Sequence, residues 1–165
     1  MKKIIVIGCP GSGKSTLSKR LSVLTGIPLY HLDMMYWNAD KTTVEKAVFL
    51  ERLTLALKEE EWIIDGNYSS TMEMRMAVCD TVIFLDYPTD VCLDGIRARS
   101  GKARSDIPWV ENEDDAEFIE FIKAFNEKER PKVISLIEKH HDKSIIILKS
   151  REESESFLKN APQFL

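Results

Sequence analysis

The chain has 165 residues, 44% of them hydrophobic and 30% charged, which is typical of a single domain with one core. Its 23 basic and 27 acidic side chains give a formal charge of −4, which argues against a nucleic-acid-binding protein because such domains are usually basic. Three cysteines without C-x-x-C spacing argue against a disulfide framework or a zinc site. No apolar run approaches the roughly 18 residues of a membrane span, so we expect a cytoplasmic protein that has no membrane partner.

The predicted elements alternate between strands and helices along the chain. The apolar, β-branched end of segment 2–7 predicts a strand that is buried on both faces, and a helix over 14–26 follows the loop after it. In chain order, the pattern then predicts a strand at 28–33, a helix at 42–62, a strand at 62–65, a helix at 72–79, a strand at 80–86, a helix at 90–101, an irregular segment at 105–113, helices at 114–129 and 131–141, a strand at 144–148 and a helix at 152–158. This alternation predicts an α/β fold with a mostly parallel sheet wrapped by helices.

A glycine-rich loop joins the first strand to the first helix. It reads GCPGSGKST over residues 8–16 and contains the full G-x-x-x-x-G-K-[ST] pattern of a phosphate loop. Glycines let the backbone curl and present successive N–H groups to an anion, and the following helix N-terminus favours that anion. We expect Lys14 to place a cation on the β- and γ-phosphates and Ser15 to offer its hydroxyl to Mg²⁺. The predicted nucleotide-binding residues are Gly8, Pro10, Gly11, Ser12, Gly13, Lys14, Ser15 and Thr16.

Carboxylates end three of the predicted strands, at Asp33, Asp65 and Asp86. Ligands of a parallel sheet bind at the carboxyl ends of its strands, so we expect Asp33 to face the site. The residues after it, MMYW at 34–37, fit either an acceptor pocket or a core patch under the next helix. Asp65 and Asp86 are both candidates for the carboxylate that holds the water shell of Mg²⁺.

A basic segment, IRARSGKAR, follows the fourth strand. Carried on a lid, its arginines would close over the transferring phosphoryl group and neutralise its charge. Arginine suits this role because its planar fork binds phosphate oxygens in pairs. We therefore expect Arg99 and Arg104 to be catalytic, within a lid at about 97–130. A solvated basic helix end and a nucleic-acid patch are the alternative interpretations.

These motifs, with HLD, WIIDGNY and TVIFLDYP, make the chain resemble the adenylate-kinase-like phosphate-loop kinases over nearly its whole length. More narrowly, it resembles the DNA topology modulation proteins, a group related to flagellar regulators. The resemblance implies a five-stranded parallel sheet in the order 2-3-1-4-5, a lid between the fourth and fifth strands, and ATP as the donor. Because the third strand lies beside the first in such kinases, we prefer Asp65 to Asp86 for the metal.

One segment departs from the pattern of nucleotide kinases. Asn67 and Tyr68 replace a phenylalanine and a proline, and the next arginine in the chain is Arg75. This departure weakens the case for a nucleoside monophosphate as the acceptor.

The sequence thus predicts one phosphate-loop domain over residues 1–165. Its expected function is an ATP-dependent kinase that transfers the γ-phosphoryl group to a small molecule, with nucleotides and nucleosides among the candidates. The expected cofactors are ATP and Mg²⁺; Lys14, Asp33, Arg99 and Arg104 are the expected catalytic residues, and Ser15 and Asp65 the metal residues. The alternative is an ATP-binding regulator that acts on DNA topology or another macromolecule.

Overall fold

The computed structural model describes residues 1–110 and 115–161 of the chain. Within these residues, five parallel strands form one sheet in the order β2-β3-β1-β4-β5. This order confirms the fold that the sequence resemblance implies. The strands are β1 (Lys3–Gly8), β2 (Leu29–His31), β3 (Trp62–Asp65), β4 (Thr81–Leu85) and β5 (Ser144–Leu148).

The middle of the sheet is buried on both faces, as the apolar runs predict. Residues 4–7 of β1 are fully buried, and Val6 lies opposite Asp65 of β3 and Ile83 of β4. Because side chains of a strand alternate between its faces, Ile4 and Val6 pack into one apolar cluster and Ile5 and Ile7 into another. Each face therefore needs its own layer of helices.

Helices within the described residues supply both layers. Those that cover Ile4 and Val6 are α1 (Lys14–Thr25), α5 (Thr89–Arg99), α6 (Ala116–Lys128) and α8 (Arg151–Asn160). Those on the opposite face are α2 (Leu32–Tyr36), α3 (Lys46–Lys58), α4 (Ser69–Val78) and α7 (Arg130–Lys139). No helix among residues 1–110 and 115–161 is long and apolar enough to cross a membrane.

The predicted second strand, at 28–33, is wrong at its end. It stops at His31, and the short helix α2 begins at Leu32. Leu32 is fully buried, and Met35 and Tyr36 pack against the same cluster, so the apolar residues here follow the three- and four-residue spacing of a helix. Asp33 therefore lies in the first turn of α2 and does not end a strand.

The predicted helix at 42–62 is shorter at both ends, since α3 runs from Lys46 to Lys58. Thr43 instead forms an antiparallel bridge with Trp37, and the Val44 N–H bonds the Tyr36 carbonyl at 2.9 Å. The three glutamates at 59–61 follow the helix, where the negative end of its dipole disfavours further acidic residues.

The predicted irregular segment at 105–113 is coil over 105–110, and the rest of it lies outside the described residues. The predicted start of the helix at 114 also lies outside them.

Candidate active site

A cavity of about 1140 Å³ opens at the carboxyl ends of the strands, the expected place for a ligand on a parallel sheet. Asp86 is not among its lining residues, and neither are Gly8 and Ser12 of the predicted nucleotide site. The predicted residues that do line it are Pro10, Gly11, Gly13, Lys14, Ser15, Thr16, Asp33, Asp65, Arg99 and Arg104.

The phosphate loop is packed against α5 backbone to backbone. Gly11 has a φ of 83°, and a Cβ atom there would lie 2.0 Å from the carbonyl oxygen of Cys92. A Cβ atom on Gly95 would in turn lie 2.0 Å from the Gly11 oxygen. The helix and the loop approach this closely because both positions lack a side chain. Gly95 is a part of the site that the sequence analysis missed.

Lys14 is folded back over the loop that carries it. Its ammonium donates to the carbonyl oxygens of Gly8 and Cys9, at 2.9 and 3.1 Å. Burial lowers the pKa of Lys14, and the nearby charge of Asp65 opposes that shift. A phosphate in the loop would offer this ammonium charged acceptors, which make stronger hydrogen bonds than neutral carbonyls.

Asp65, the last residue of β3, has one carboxylate oxygen in a hydrogen bond and one without a hydrogen-bond partner. Its Oδ1 lies 2.8 Å from Nδ1 of His31, and a carboxylate can only accept, so His31 is the donor in this pair. Its Oδ2 is buried and has no hydrogen-bond partner, although the residue lines the cavity. Such an oxygen is costly to bury alone and is suited to a cation or to the water around one. Asp86 differs, because it accepts two bonds from Arg130, at 2.7 and 2.8 Å.

Asp33 faces the same cavity from α2. Its Oδ1 accepts a hydrogen bond of 2.7 Å from the hydroxyl of Tyr68. Burial raises the pKa of Asp33, and the bond from Tyr68 partly offsets that shift. The carboxylate is therefore fixed in orientation and more basic than an exposed aspartate.

Arg75 fixes the loop that carries Tyr68. This arginine is fully buried and donates to the carbonyl oxygens of Gly66, Asn67 and Tyr68. Burial lowers its pKa to about 10. The three hydrogen bonds from Arg75 help hold Tyr68 at its unusual φ of 32°. The Asn67 side chain separately bonds both the N–H and the carbonyl of Gly8. Arg75 is thus a structural residue that does not line the cavity.

Asp106 is a second residue that the sequence analysis missed. It is 2% exposed and accepts two bonds from Arg104 and one of 3.5 Å from Lys19. Burial alone would raise the pKa of Asp106, but hydrogen bonds from Arg104 and the Ser15 hydroxyl, with the charges of Arg104 and Lys19, hold it well below its usual range. The segment after α5 thereby brings a carboxylate to the predicted metal residue of the phosphate loop. The R-x-D spacing at 104–106 is the only signal of it in the sequence.

Aromatic rings close the cavity on the side of Asp33. We call Trp37, Tyr68 and Trp109 the aromatic wall, because all three line the cavity and ring contacts connect them directly or through Tyr36. Trp37 meets Trp109 edge to face with centroids 5.3 Å apart, and Tyr36 packs on both Trp37 and Tyr68 from behind. Of the MMYW segment, Trp37 thus lines the cavity, whereas Met35 and Tyr36 pack against the core.

Comparison with known proteins supports the fold of this chain and does not identify its substrate. No family model matches the chain, and no curated protein matches it. A shikimate kinase from Bacteroides thetaiotaomicron is 22% identical with a TM-score of 0.55, over 98% of this chain and 96% of that one. A shikimate kinase from Acinetobacter baumannii in complex with shikimate is 13% identical with a TM-score of 0.64, over 99% of this chain and 92% of that one. The chain therefore has the phosphate-loop kinase fold.

Proposed function

We propose that the protein is an ATP-dependent kinase that phosphorylates a hydroxyl group of a small molecule. The observation that carries this proposal is one cavity with a phosphate loop at one end and Asp33 with the aromatic wall at the other. Its volume of about 1140 Å³ exceeds the roughly 300–1,000 Å³ of an ordinary ligand pocket. There is room for a nucleotide and an acceptor side by side.

The phosphate end would bind ATP and stabilise the transferring group. Backbone N–H groups of the loop and the Lys14 ammonium would contact the β- and γ-phosphates. Arg99 and Arg104 line the cavity from the segment over the loop, and their guanidinium groups would neutralise charge that builds up on the γ-phosphoryl oxygens. These roles would lower the barrier mainly by electrostatics and positioning.

Ser15 and Asp65 fit Mg²⁺ in a nucleotide site. No cluster of three or more histidine, cysteine or acidic residues suited to a metal occurs in residues 1–110 and 115–161, but Mg²⁺ beside phosphates needs only one or two protein oxygens. Ser15 and Asp65 both line the cavity, so the Ser15 hydroxyl oxygen would bind the ion and the unpaired Oδ2 of Asp65 would accept from its water. Bound Mg²⁺ would neutralise part of the phosphate charge.

Asp33 would act on the acceptor. Its carboxylate would take the proton of the acceptor hydroxyl as the acceptor oxygen forms its bond to the γ-phosphorus and the bond to the ADP oxygen breaks. Burial raises the pKa of Asp33, which makes it a better proton acceptor. The hydrogen bond from Tyr68 would keep the other carboxylate oxygen turned toward the acceptor.

A screen for acceptor-dependent ADP release tests the proposal. The protein with Mg²⁺ and ATP is incubated with hydroxyl compounds one at a time, shikimate included because kinases of that compound share the fold. We expect one chemical class to raise ADP release and to gain the mass of a phosphoryl group. ADP release that no compound changes would contradict the kinase proposal and leave an ATPase.

The narrower resemblance to DNA topology modulation proteins suggests the alternative, an ATP-binding regulator of DNA. The exposed basic residues of the 96–104 segment favour it, although Arg97 pairs with Asp94 and Lys102 bonds the Ala98 carbonyl. A filter-binding assay on supercoiled and linear plasmid at two salt concentrations distinguishes the two functions. The kinase proposal predicts no binding at physiological salt, and tight, ATP-dependent binding would favour the regulator.

A further inference from the structure

A histidine on the edge strand of the sheet contacts the candidate metal carboxylate. His31 is the last residue of β2 and lies opposite Asp65, the last residue of β3, in the register of these parallel strands. Because side chains alternate between the two faces along each strand, this register turns the imidazole and the carboxylate to the same face. Nδ1 of His31 lies 2.8 Å from Oδ1 of Asp65.

The two side chains of this pair have different positions relative to the cavity. Asp65 lines the cavity, whereas His31 lies outside the residues that line it. Both side chains are largely enclosed, with 12% of His31 and 6% of Asp65 exposed, so water does little to weaken the bond between them. The second carboxylate oxygen of Asp65, Oδ2, has no hydrogen-bond partner in the described part of the chain. The histidine therefore occupies one oxygen and leaves the other available to a ligand.

A cation of the phosphate loop lies near enough to compete for Asp65. Burial lowers the pKa of Lys14, and the charge of Asp65 acts against that shift. The Lys14 ammonium nevertheless bonds the carbonyl oxygens of Gly8 and Cys9. A carboxylate that is held through Oδ1 by His31 is less free to rotate toward Lys14. The lysine then stays available to phosphate, and Oδ2 of Asp65 stays available to the water shell of Mg²⁺.

We infer that His31 is a positioning residue for Mg²⁺, whose Nδ1–H holds Oδ1 of Asp65 and thereby orients Oδ2 toward the water shell of the ion. His31 acts through Asp65 alone. Residues that hydrogen-bond a metal-binding carboxylate affect metal affinity by about 10- to 100-fold, and we expect the low end here because Asp65 would itself act through water. This inference rests on the proposed kinase function and on Asp65 as the metal carboxylate, and it adds a second residue to that assignment.

Binding of a non-hydrolysable ATP analogue, followed by calorimetry at several Mg²⁺ concentrations and in EDTA, tests the inference without an acceptor. His31→Leu removes the donor, and we expect the Mg²⁺ concentration for half-maximal binding to rise about tenfold. Affinity for the analogue in EDTA should change by less than about twofold, because no metal is then bound. His31→Asn has an amide N–H that can take the place of Nδ1–H, and it should restore the Mg²⁺ requirement to within about twofold of the unmodified protein.

A second histidine provides the matched control. His140 also pairs with a carboxylate, that of Glu73 at 3.2 Å, and both residues lie outside those that line the cavity. His140→Leu should leave the Mg²⁺ requirement unchanged. If His31→Leu does not fold, His31→Gln replaces it in the comparison with His31→Asn, because its amide lies one carbon farther along the side chain.

The double variant His31→Leu with Asp65→Asn shows whether the histidine acts through the aspartate. Residues that act through one contact are not additive, so this variant should need no more Mg²⁺ than Asp65→Asn alone. Additive losses would overturn the inference, and so would an unchanged Mg²⁺ requirement in His31→Leu, no restoration by His31→Asn, or an equal loss of affinity in EDTA. Failure of the unmodified protein to bind the analogue would refute the kinase proposal itself, whereas normal Mg²⁺-dependent binding with any of those results would refute only the role of His31.

Discussion

The two ends of the cavity are built from different parts of the chain. The phosphate end is made mostly of backbone, in one continuous loop whose shape depends on Gly11 and on its tight packing against Gly95. The acceptor end is made of side chains such as Asp33, Tyr68 and Trp109, which come from separate segments. If the proposed function holds, side-chain substitutions at the acceptor end would change the acceptor while the backbone loop keeps its contacts with phosphate.

The largest effect on kcat is expected from a substitution at the phosphate end of the cavity. Lys14→Ala removes a cation from the developing phosphoryl charge, so we expect kcat to fall by roughly 10² to 10³. Steady-state kinetics on the acceptor found by the screen measures it. Lys41→Ala is the matched control, because Lys41 lines the same cavity away from the loop and should keep kcat close to that of the unmodified protein. Equal losses in the two variants would contradict the division of the cavity.

Substitution of Asp65 and of Asp86 distinguishes which of the two carboxylates serves Mg²⁺. Asp65→Asn removes the negative charge at the unpaired Oδ2, and we expect the Mg²⁺ concentration for half-maximal nucleotide binding to rise by about 10- to 100-fold. Asp86→Asn should leave it unchanged, because Asp86 pairs with Arg130. Calorimetric titration at several Mg²⁺ concentrations measures both. If Asp86→Asn gives the metal phenotype instead, the preference for Asp65 is wrong.

The close contact between α5 and the loop gives a third prediction. Gly95→Ala places a Cβ atom 2.0 Å from the Gly11 oxygen, and backbone must move to relieve it. We expect nucleotide affinity to fall about tenfold or more while ligand binding at the aromatic wall persists. Gly101→Ala is the control, since a Cβ there meets nothing within 4 Å and its φ of 71° costs about 1–2 kcal/mol. Loss of both binding activities would show instead that Gly95 supports the whole fold.

A smaller effect is expected from the arginine that contacts Asp106. In Arg104→Lys, a single ammonium cannot replace the two bonds that the guanidinium makes with Asp106. We expect kcat to fall about three- to tenfold with nucleotide affinity nearly unchanged. Arg97→Lys is the matched control, because Arg97 pairs only with the exposed Asp94 among the bonds described for it. Identical kinetics in both variants would indicate that the segment is solvated surface.

The same contrast explains what the sequence could predict. The phosphate loop and the order of the strands follow from local pattern and from the resemblance that the pattern supports. Asp106 contacts Lys19 across 87 residues of chain, and the acceptors of Arg75 are backbone carbonyls, which every residue possesses. Neither contact leaves a mark in the local sequence. The helix α2 was missed because its five residues are too few to show a clear period beside an apolar strand.

Asp33 also gives a pH-dependent prediction of stability. Burial raises its pKa above the ordinary 3.8, so the folded protein holds this proton more tightly than the unfolded chain does. The charge therefore lowers stability above the folded pKa, and this cost vanishes as the pH falls below about 3.8. Asp33→Asn can still accept from Tyr68 and should melt at a higher temperature than the unmodified protein at pH 7. The difference should disappear near pH 3.8; a lower melting temperature at pH 7 would contradict the burial argument.

If one cavity holds a phosphate end and a separate acceptor end, Asp33→Asn should lose phosphoryl transfer and keep its nucleotide affinity. The measurement compares the rate of product formation with the affinity for the complex of Mg²⁺ and ATP in the same protein preparation. We expect transfer to fall by roughly 10² or more, as for loss of a general base, while nucleotide affinity stays within about twofold. Normal transfer by this variant, or a matching loss of nucleotide affinity, would contradict the division of the cavity into two ends.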